Sequence, residues 1–456
     1  MKPKVLLVNP WIYDFAAMNL WSRPLGLLRV AEYLSQFDID LTFIDCTDSF
    51  KRIRTFGNGN YFRTVVEKPE ILRSFPRDFA RYGISLEDFI ERIRVRGPFD
   101  IVLVTSIMSY WYPGVQKVIE ILRGLSPGSP IVLGGIYATL YHNHASRHSG
   151  ADILFMGGIS ADLLQAEQGR SQDNPQKETL KEILDRAGIG LTKTGPPRPY
   201  YKLPLYEKLP FAPILTSAGC PYSCAYCASF SLSPAFIQRD PSDIIHEIEA
   251  LSTLGVRDYA FYDDALLVNA DAHIRVVLAH IIKSGLNVRF HCPNGLHARC
   301  IDEDLARLMK SSGFTTLRLS LETVNATRQQ QTGGKVSTDM FMRAVRNLKK
   351  AGFTKNETGA YIMYGLPGQE FNEVDEGVEF LKHLGVRIYL SEFSPIPGTS
   401  CWRDLVSQGT LSDDIDPLLT NNSVYAALYS GYSMTAIQTL KKKVLNYNRL
   451  PDQSRF

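Results

Sequence analysis

The chain has 456 residues, of which 45% are apolar and 21% charged, and its formal net charge is +3. At roughly 150 residues per domain this length is enough for about three domains with cores of their own. The near-neutral charge, without a long basic block, gives no electrostatic signal for nucleic acid or for an anionic membrane. Composition and length together exclude a disulfide miniprotein, a lone binding module and a disordered or collagen-like chain.

The amino terminus, MKPKVLLVNPW, carries too short an apolar stretch for a signal peptide, and no apolar run approaches 18 residues. We therefore expect a cytoplasmic protein without a membrane partner. The seven cysteines are unevenly placed and do not form a disulfide framework. Because thiols stay reduced in the cytoplasm, a tight group of cysteines favours a metal site over a disulfide.

Short apolar runs alternate with helical patterns over residues 1–168. The predicted strands are residues 5–8, 40–44, 101–105, 131–133 and 152–155, and the predicted helices are residues 24–35, 115–125 and one from about residue 137. The charged, irregular stretch at about 47–98 is interpreted as an insertion. Strands that alternate with helices predict a doubly wound, Rossmann-like α/β domain with a parallel sheet.

Residues 169–210 are polar and then rich in proline, which predicts an extended linker. The alternation resumes over residues 211–400. The predicted strands there are residues 214–217, 258–262, 288–291, 316–321, 359–363 and 387–392, with helices near 241–253, 271–283, 302–312, 338–351 and 372–384. Six βα units predict a (β/α)6 partial TIM barrel whose chemistry lies at the carboxyl ends of its strands. Residues 401–456 are expected to form a small helical C-terminal extension.

The most specific motif follows the first predicted barrel strand. Cys220, Cys224 and Cys227 form C-x3-C-x2-C in the run TSAGCPYSCAYCASF. Thiolates are the soft ligands that iron-sulfur clusters need, and a short loop can wrap three of them around one 4Fe-4S cubane. Since the cubane has four irons, three cysteines leave one iron open to another ligand.

Other interpretations of the three cysteines remain open at this point. A structural zinc site would take its fourth ligand from Cys292, His291 or Cys300, although the sequence has no second C-x2-C pair. A redox-active dithiol is a further alternative. An iron-sulfur electron carrier or sensor without turnover would also use such a motif.

The motif, with Tyr226 before its last cysteine and a six-unit barrel behind it, resembles that of the radical S-adenosylmethionine (SAM) enzymes over about residues 211–399. The resemblance implies a 4Fe-4S cluster on the three cysteines and SAM chelated to the open iron by its amino and carboxylate groups. It also implies reductive cleavage of SAM to a 5′-deoxyadenosyl radical. The electron would come from an external donor such as flavodoxin or ferredoxin.

The same resemblance assigns SAM-binding roles to polar or small residues at the strand ends. They are Tyr226, Asp263, Asp264, Asn294, Ser320, Glu322, Ile362 and Gly365. Ser320 and Glu322 would contact the ribose or carboxylate, while Ile362 and Gly365 would lie along the adenine. Asp263 and Asp264 depart from the family's usual Gly-Gly-Glu. Strand-end charges, a helix cap and an ordinary turn are the structural alternatives for these residues.

In the first domain, distinctive residues follow the predicted strands at the edge where a doubly wound sheet binds ligands. They are Thr105, Ser106, Gly134, Gly135, Thr139 and Gly157. The domain order resembles the radical SAM subfamily that carries an N-terminal cobalamin-binding domain, over about residues 4–164, and this implies cobalamin at that edge. The D-x-H-x-x-G motif is absent, so the cobalamin would be base-off with no histidine on cobalt.

Two clusters in this domain are less specific. The aromatic residues Tyr110, Trp111 and Tyr112 could cover a corrin face, although such a cluster is more often packing. The histidines His142, His144 and His148 have no carboxylate or thiolate nearby in the sequence and are interpreted as ordinary polar residues.

The resemblance as a whole predicts a radical SAM enzyme that uses cobalamin to methylate an unactivated carbon. A cobalamin-free or non-methylating radical SAM enzyme is the alternative. The sequence contains no recognisable motif for binding a carrier protein, tRNA or lipid, so it does not identify the substrate.

Overall fold

The computed structural model describes residues 2–156 and 179–452. The chain divides into two compact units. Unit 1 comprises Met1–Leu209 and Asp414–Leu419, and unit 2 comprises Pro210–Asp413 and Thr420–Phe456. Among the helices in the described ranges, none has the length and apolarity that crossing a membrane requires.

Unit 1 begins with a buried strand and continues as an alternation of strands and helices. Its elements in chain order are β1 (Lys4–Asn9), β2 (Ile12–Asp14), α1 (Leu25–Leu34), β3 (Asp40–Asp45), β4 (Phe50–Ile53), β5 (Gly59–Tyr61), β6 (Arg63–Val66), β7 (Phe79–Tyr82), α2 (Leu86–Arg96), β8 (Ile101–Val104), α3 (Tyr112–Leu125), β9 (Ile131–Leu133), α4 (Ile136–Leu140), α5 (His142–His148), β10 (Ile153–Leu154) and α6 (Leu180–Arg186).

The main sheet of unit 1 has the order β10-β9-β8-β1-β3, and every neighbouring pair is parallel. Counted along the chain, this is the 2-1-3-4-5 order of flavodoxin-like doubly wound sheets, with its switch point between β1 and β8. Apolar side chains of β1, α1 and α6 fill one face of the sheet. The predicted doubly wound parallel fold is confirmed.

The stretch at about 47–98, predicted to be an irregular insertion, contains regular elements. Strands β2, β7 and β6 form a small antiparallel sheet, and β4 pairs with β5. Helix α2 follows, and the Ser85 side chain caps it by accepting the Asp88 N–H. These strands have three or four residues each, which is too short for an alternation of apolar residues to reveal them.

Unit 2 carries the second alternation of strands and helices. Its elements are β11 (Ala212–Ile214), β12 (Ser217–Ala218), α7 (Ser229–Leu232), β13 (Ile237–Gln238), α8 (Pro241–Thr253), β14 (Asp258–Phe261), α9 (Ile274–Ser284), β15 (Arg289–His291), α10 (Glu303–Ser311), β16 (Phe314–Glu322), α11 (Ala326–Gln331), α12 (Thr338–Lys350), β17 (Thr358–Tyr364), α13 (Phe371–His383), β18 (Arg387–Glu392), α14 (Ser400–Ser407), α15 (Asn422–Leu428) and α16 (Met434–Arg449).

The six-stranded sheet of unit 2 runs β11-β14-β15-β16-β17-β18 in the order of the chain, with parallel neighbours. This confirms the predicted partial barrel. Its first strand ends at Ile214 and not at residue 217, because Ser217 and Ala218 pair instead with β13 in an antiparallel bridge. That bridge closes the base of the loop that carries the three cysteines.

The C-terminal extension protects the open edge of the barrel. Strand β18 is an edge strand, and the side-chain amide of Asn448 in α16 donates to the Ile388 carbonyl at 2.8 Å and accepts the Ile388 N–H at 3.0 Å. An asparagine thus takes the place of a neighbouring strand at this position, where unpaired backbone groups would otherwise invite association.

A stability prediction follows from the loops after β8 and β9. Gly135 has φ +88°, and a Cβ there would lie 2.4 Å from the Ser106 carbonyl oxygen, whereas a Cβ on Gly134 would make its nearest contact at 3.5 Å, with Phe155. We expect Gly135→Ala to reduce the free energy of unfolding by at least about 2 kcal/mol. Urea unfolding of the full chain measures this effect, with Gly134→Ala as the matched control. Equal stability of the two variants would contradict the backbone argument.

Candidate functional site

The loop of the three cysteines lies between β12 and α7, at the carboxyl end of the first barrel strand. Cys220, Cys224 and Cys227 are free thiols and are all partly exposed. The loop turns at Gly219, whose φ is +75° and where a Cβ would lie 2.3 Å from the Ala235 carbonyl oxygen. Only glycine fits this turn, because any side chain would clash with backbone.

Backbone contacts hold the cysteine loop from two sides. The Ala225 N–H donates to the Thr332 carbonyl at 3.2 Å, and the Cys401 N–H donates to the Ala225 carbonyl at 2.9 Å. Gly333, with φ +115°, brings its chain so close that a Cβ would lie 3.1 Å from the Ser223 carbonyl oxygen. The loop is therefore fixed by the fold of unit 2 and does not depend on side-chain contacts alone.

The donor set suits an iron-sulfur cluster. Three thiols on one braced loop are soft ligands for three irons of a cubane and leave its fourth iron open. Across the part of the chain that the structure describes, no three His, Cys, Asp or Glu side chains form a group that could hold a single metal ion. A cubane makes no such demand, because each thiolate binds a different iron.

A buried ion pair lies beside the cysteine loop. The Lys335 ammonium is 3.2 Å from Glu322 Oε1, the two side chains being 13% and 11% exposed, and 5.5 Å from the centre of the Tyr226 ring. Burial disfavours the Lys335 ammonium, but Glu322 and the Cys224 sulfur outweigh burial and raise the pKa of this lysine. Burial raises the pKa of the Cys224 thiol, and Lys335 opposes that change. Lys335 therefore places a positive charge beside the position that the cysteine thiolates would occupy.

Glu322 itself is in a strained conformation. Its φ is +67°, one of few non-glycine residues of the described chain in the left-handed region, and the pairing of β16 with β17 shifts register at this residue. Such a conformation costs about 1–2 kcal/mol for a residue with a Cβ. The turn directs the carboxylate to Lys335, so the strain is tied to the placement of a charge at the barrel mouth.

The predicted residues at the ends of β14 and β15 are held in hydrogen bonds. The buried Asp263 carboxylate accepts the Thr216 N–H at 3.0 Å and both the Thr216 and Ser217 hydroxyls at 2.6 Å. Asp264 accepts the hydroxyl of Ser229, two residues after Cys227. Asn294 donates its amide to the Tyr262 carbonyl at 2.9 Å.

Of these residues, Asp264 and Asn294 are exposed and Asp263 is buried. Asp263 fastens strands and Asn294 joins two strand ends, so their predicted contacts with SAM stay predictions.

The predicted residues on β16 and β17 lie on opposite faces of the sheet. Ser320 is buried and faces the interior next to Gly295, where a Cβ would lie 2.0 Å from the Ser320 Oγ. The Ile362 side chain points outward to α13, where Gly377 makes room for it, a Cβ there being 2.9 Å from Ile362 Cδ1. Only the backbone of Ile362 is therefore available to a ligand inside the barrel.

The turn after β17 is fixed by a neighbouring arginine. Arg328 donates to the Pro367 carbonyl at 3.0 Å and the Gly368 carbonyl at 2.8 Å, and its guanidinium pairs with Glu373 at 2.8 Å. Gly365 begins this turn with φ +85°, and its open side faces Ala426 of α15. The C-terminal extension thus packs on the segment that the resemblance assigns to adenine.

In unit 1, most residues predicted to hold cobalamin bond to their own loops. The Ser106 hydroxyl accepts the Tyr137 N–H at 2.9 Å and donates to the Gly134 carbonyl at 3.3 Å, and Thr139 donates to the Gly135 carbonyl at 2.9 Å. Thr105 stands half-exposed beside them. Gly157, also part of that prediction, lies outside the described residues.

The aromatic and histidine clusters of unit 1 meet around a carboxylate. Tyr112 donates to Asp416 at 3.0 Å, Tyr137 bonds to His144 Nδ1 at 2.7 Å, and His144 Nε2 lies 4.0 Å from Asp416. This carboxylate could not be predicted near His144, because Asp416 is far along the chain. Trp111 bonds to Asp14 at 2.7 Å. Tyr112 and Trp111 are thus anchored within unit 1.

Two residues of unit 2 escaped the sequence analysis. Lys335 follows two glycines in QTGGK, and a lysine on a Gly-Gly turn was a signal that could have been used. Arg318 lies between two leucines in the strand TTLRLSLET. Charged residues are rarely buried, so a charge within a buried strand indicates an unusual environment.

Comparison with known proteins gives the family of the barrel. Residues 214–381 match the model of the Radical SAM superfamily. The chain is 24% identical to a protein named as an uncharacterized methyltransferase of Pyrococcus horikoshii, over 72% of this chain and 74% of that protein. It is 23% identical to the hopanoid C-2 methylase of Rhodopseudomonas palustris, over 65% of this chain and 57% of that protein.

Among solved structures, the radical SAM methyltransferase TsrM from Kitasatospora setae, with cobalamin and a [4Fe-4S] cluster bound, is similar at a TM-score of 0.61. The sequence identity is 16%, and the match covers 90% of this chain and 75% of TsrM. At that identity the likeness concerns the fold.

We expect the triple replacement of Cys220, Cys224 and Cys227 by alanine to abolish the iron-sulfur absorption of anaerobically reconstituted protein. Cys46→Ala and Cys401→Ala serve as matched controls, since both thiols are buried and Cys401 braces the loop through its backbone N–H, which alanine keeps. Visible absorption together with iron and sulfide content measures the effect. A full complement of zinc with no iron in the wild-type chain would refute the cluster.

Proposed function

The chain belongs to the radical SAM superfamily, as its cysteine motif predicts, and from this premise we propose that it is a cobalamin-dependent enzyme that methylates an unactivated carbon. One observation carries the proposal. A cysteine loop at the mouth of a partial barrel and a doubly wound sheet of 2-1-3-4-5 order occur in a single chain.

The names of similar proteins support methyl transfer. Two of the curated relatives are named as a methyltransferase and a methylase, and the TsrM structure is titled as a methyltransferase with cobalamin and cluster bound. The proposal extends that activity to this chain. It also includes an external one-electron donor, such as flavodoxin or ferredoxin.

When bound, the cluster with SAM supplies a 5′-deoxyadenosyl radical and cobalamin supplies a methyl group. The residues of the chain itself bind these cofactors and orient them. The three cysteines would hold the cluster, Glu322 and Ser320 would orient SAM at the end of β16, and Lys335 would balance the negative charge of the thiolates.

The cobalamin edge proposed for unit 1 is preformed. Ser106 and Gly135 are locked to each other, since a Cβ on Gly135 would meet the Ser106 carbonyl at 2.4 Å. A ligand at this edge would therefore contact mainly backbone atoms. The half-exposed Thr105 is the residue whose hydroxyl it could reach. These residues fit a large flat ligand that is bound base-off, since no histidine of the sequence precedes His142.

A second candidate function is a radical SAM enzyme without cobalamin. The hydroxyls of Ser106 and Thr139 are both used within their own loops, so neither needs a ligand to satisfy it. In that case unit 1 would have another role, and the chemistry of unit 2 would stand alone.

Cobalamin retention and isotope transfer separate the two candidates. We expect protein reconstituted with hydroxocobalamin to keep about one equivalent of corrinoid through gel filtration, because the edge is preformed. With a turnover substrate, SAM carrying a deuterated methyl group should yield labelled product together with S-adenosylhomocysteine and 5′-deoxyadenosine. Loss of the corrinoid and an unlabelled product would favour the cobalamin-free enzyme.

We expect Glu322→Gln to weaken SAM binding at least about tenfold, because a carboxylate at the end of β16 is replaced by a neutral amide beside the buried Lys335. Equilibrium binding of SAM to the cluster-loaded protein measures the affinity, and the cluster absorption should be unchanged. Glu303→Gln is the matched control, since Glu303 pairs with Arg307 on an exposed helix face. Unaltered affinity would make Glu322 a purely structural residue.

A further inference from the structure

The interior of the barrel contains a second polar region, deeper than the mouth. Along β16, Leu317 and Leu319 face the helices and are fully buried, while Arg318 and Ser320 alternate with them and face inward. Strand β17 pairs with β16 in register, which sets Gly359 beside Arg318 and Tyr361 beside Ser320. The inward residues of both strands therefore line one column.

Among the residues that the structure describes, the buried cation Arg318 has no acidic partner. Its residue exposure is 7%, and its Nε and Nη1 atoms are buried with no hydrogen-bond partner among the residues that the structure describes. Other buried cations of unit 2 are paired, for example Arg239 with Glu247 at 2.6 Å and Arg328 with Glu373 at 2.8 Å. An unpaired buried guanidinium costs stability, and a bound anion would offset that cost.

The surroundings hold the guanidinium flat and leave its edge free. The carbon at its centre lies 3.3 Å from the centre of the Tyr389 ring. Gly359 makes this stacking possible, since a Cβ there would lie 2.3 Å from Tyr389 Cε2. Tyr361 and Tyr389, on the same column, are half-buried. A stacked arginine whose N–H groups have no partner is preorganised to bind an oxyanion by charge-assisted hydrogen bonds.

No carboxylate in the described part of the chain is among the groups that shift the pKa of Arg318. Burial lowers the pKa of Arg318 to about 10, with nearby Arg387 acting in the same direction, so the group is still charged at neutral pH. Arg387 itself lies 3.5 Å from the Asn356 amide oxygen. Two guanidinium groups thus face the same region of the barrel, and an anion there would gain from both.

We propose that Arg318, stacked on Tyr389, binds an oxyanion of the substrate, a carboxylate or a phosphate, inside the barrel. The inference rests on the proposed function, because the reacting groups at the mouth give the substrate its orientation. Arg318 precedes Ser320 by two residues and Glu322 by four, which places the anion roughly 7 to 13 Å below the mouth. The substrate class is therefore an organic acid or phosphate ester that reacts at a carbon about that far from its charge.

The probe molecules are benzoate and phenyl phosphate, with neutral benzamide as the comparison. We expect one of the two anions to bind cluster-loaded protein in isothermal titration calorimetry and benzamide not to bind. The tighter anion distinguishes a carboxylate site from a phosphate site. Arg318→Gln should weaken that binding by about 10-fold to 100-fold, and Arg318→Lys should weaken it less because the charge is kept.

The matched control is Arg346→Gln, an exposed arginine on α12, which should leave anion binding unchanged. Because an unpaired charge is removed, Arg318→Gln should melt at the same temperature as wild type or higher, which shows that the variant folds. If the anions bind equally to wild type and Arg318→Gln, or do not bind at all, the proposal is wrong.

SAM binding distinguishes substrate from cofactor. We expect SAM affinity and the slow cleavage of SAM without substrate to be the same in wild type and Arg318→Gln, within twofold. A loss of SAM affinity of tenfold or more in this variant would overturn the inference, because Arg318 would then bind the cofactor. The anion titration uses no turnover, so absence of methyl transfer would count against the proposed function and leave the anion site standing.

Discussion

The buried carboxylate of Asp263 fastens the base of the cysteine loop to the barrel. It accepts two hydroxyl hydrogen bonds at 2.6 Å and the Thr216 N–H at 3.0 Å, all from the segment that leads out of β11. Burial raises the pKa of Asp263, and these donors oppose the change. A buried carboxylate is tolerated only with such donors, so the segment must keep this conformation. The cysteine loop begins where that segment ends.

Two further residues of the barrel mouth have either a strained backbone conformation or a close contact with the cysteine loop. Glu322 takes a left-handed conformation, and Gly333, whose φ of +115° favours glycine, lies so near the cysteine loop that a Cβ would be 3.1 Å from the Ser223 carbonyl oxygen. Both belong to the stretch between β16 and α12, which also carries Lys335. The carboxylate of Glu322 and the positive charge of Lys335 are therefore supplied by the two ends of one stretch, which runs from the end of β16 to the start of α12.

Much of this architecture was predictable from the sequence, because parallel strands between helices leave long apolar runs. The strand at 131–133 was predicted with the bounds that the structure has, and the one at 387–392 likewise. The first barrel strand was placed too late, because the two-residue bridge of Ser217 and Ala218 looks like its continuation. Short strands of the 47–98 stretch have no periodicity to detect.

At the candidate site, spacing identified the cysteines, since three ligands within eight residues need no tertiary information. Lys335 and Arg318 depend on which side chains the fold brings near them. Glu322 comes close to Lys335 only through its left-handed turn, and Arg318 lacks an acidic partner because its neighbours across the strand are a glycine and two tyrosines. Neither environment can be derived from local sequence.

The two candidate ligand sites differ in how far their polar groups are already satisfied, and this difference affects which site selects the substrate. In unit 1, Ser106 and Thr139 bond to backbone in their own loops. In unit 2, Arg318 keeps two donor atoms without a partner among the described residues. A sheet edge whose polar groups are already hydrogen-bonded selects ligands by shape. A buried cation without a partner rejects every ligand that leaves it unpaired, and this selection between ligands is the stronger of the two. Recognition of the substrate is therefore expected to depend more on the barrel interior than on the edge of the doubly wound sheet.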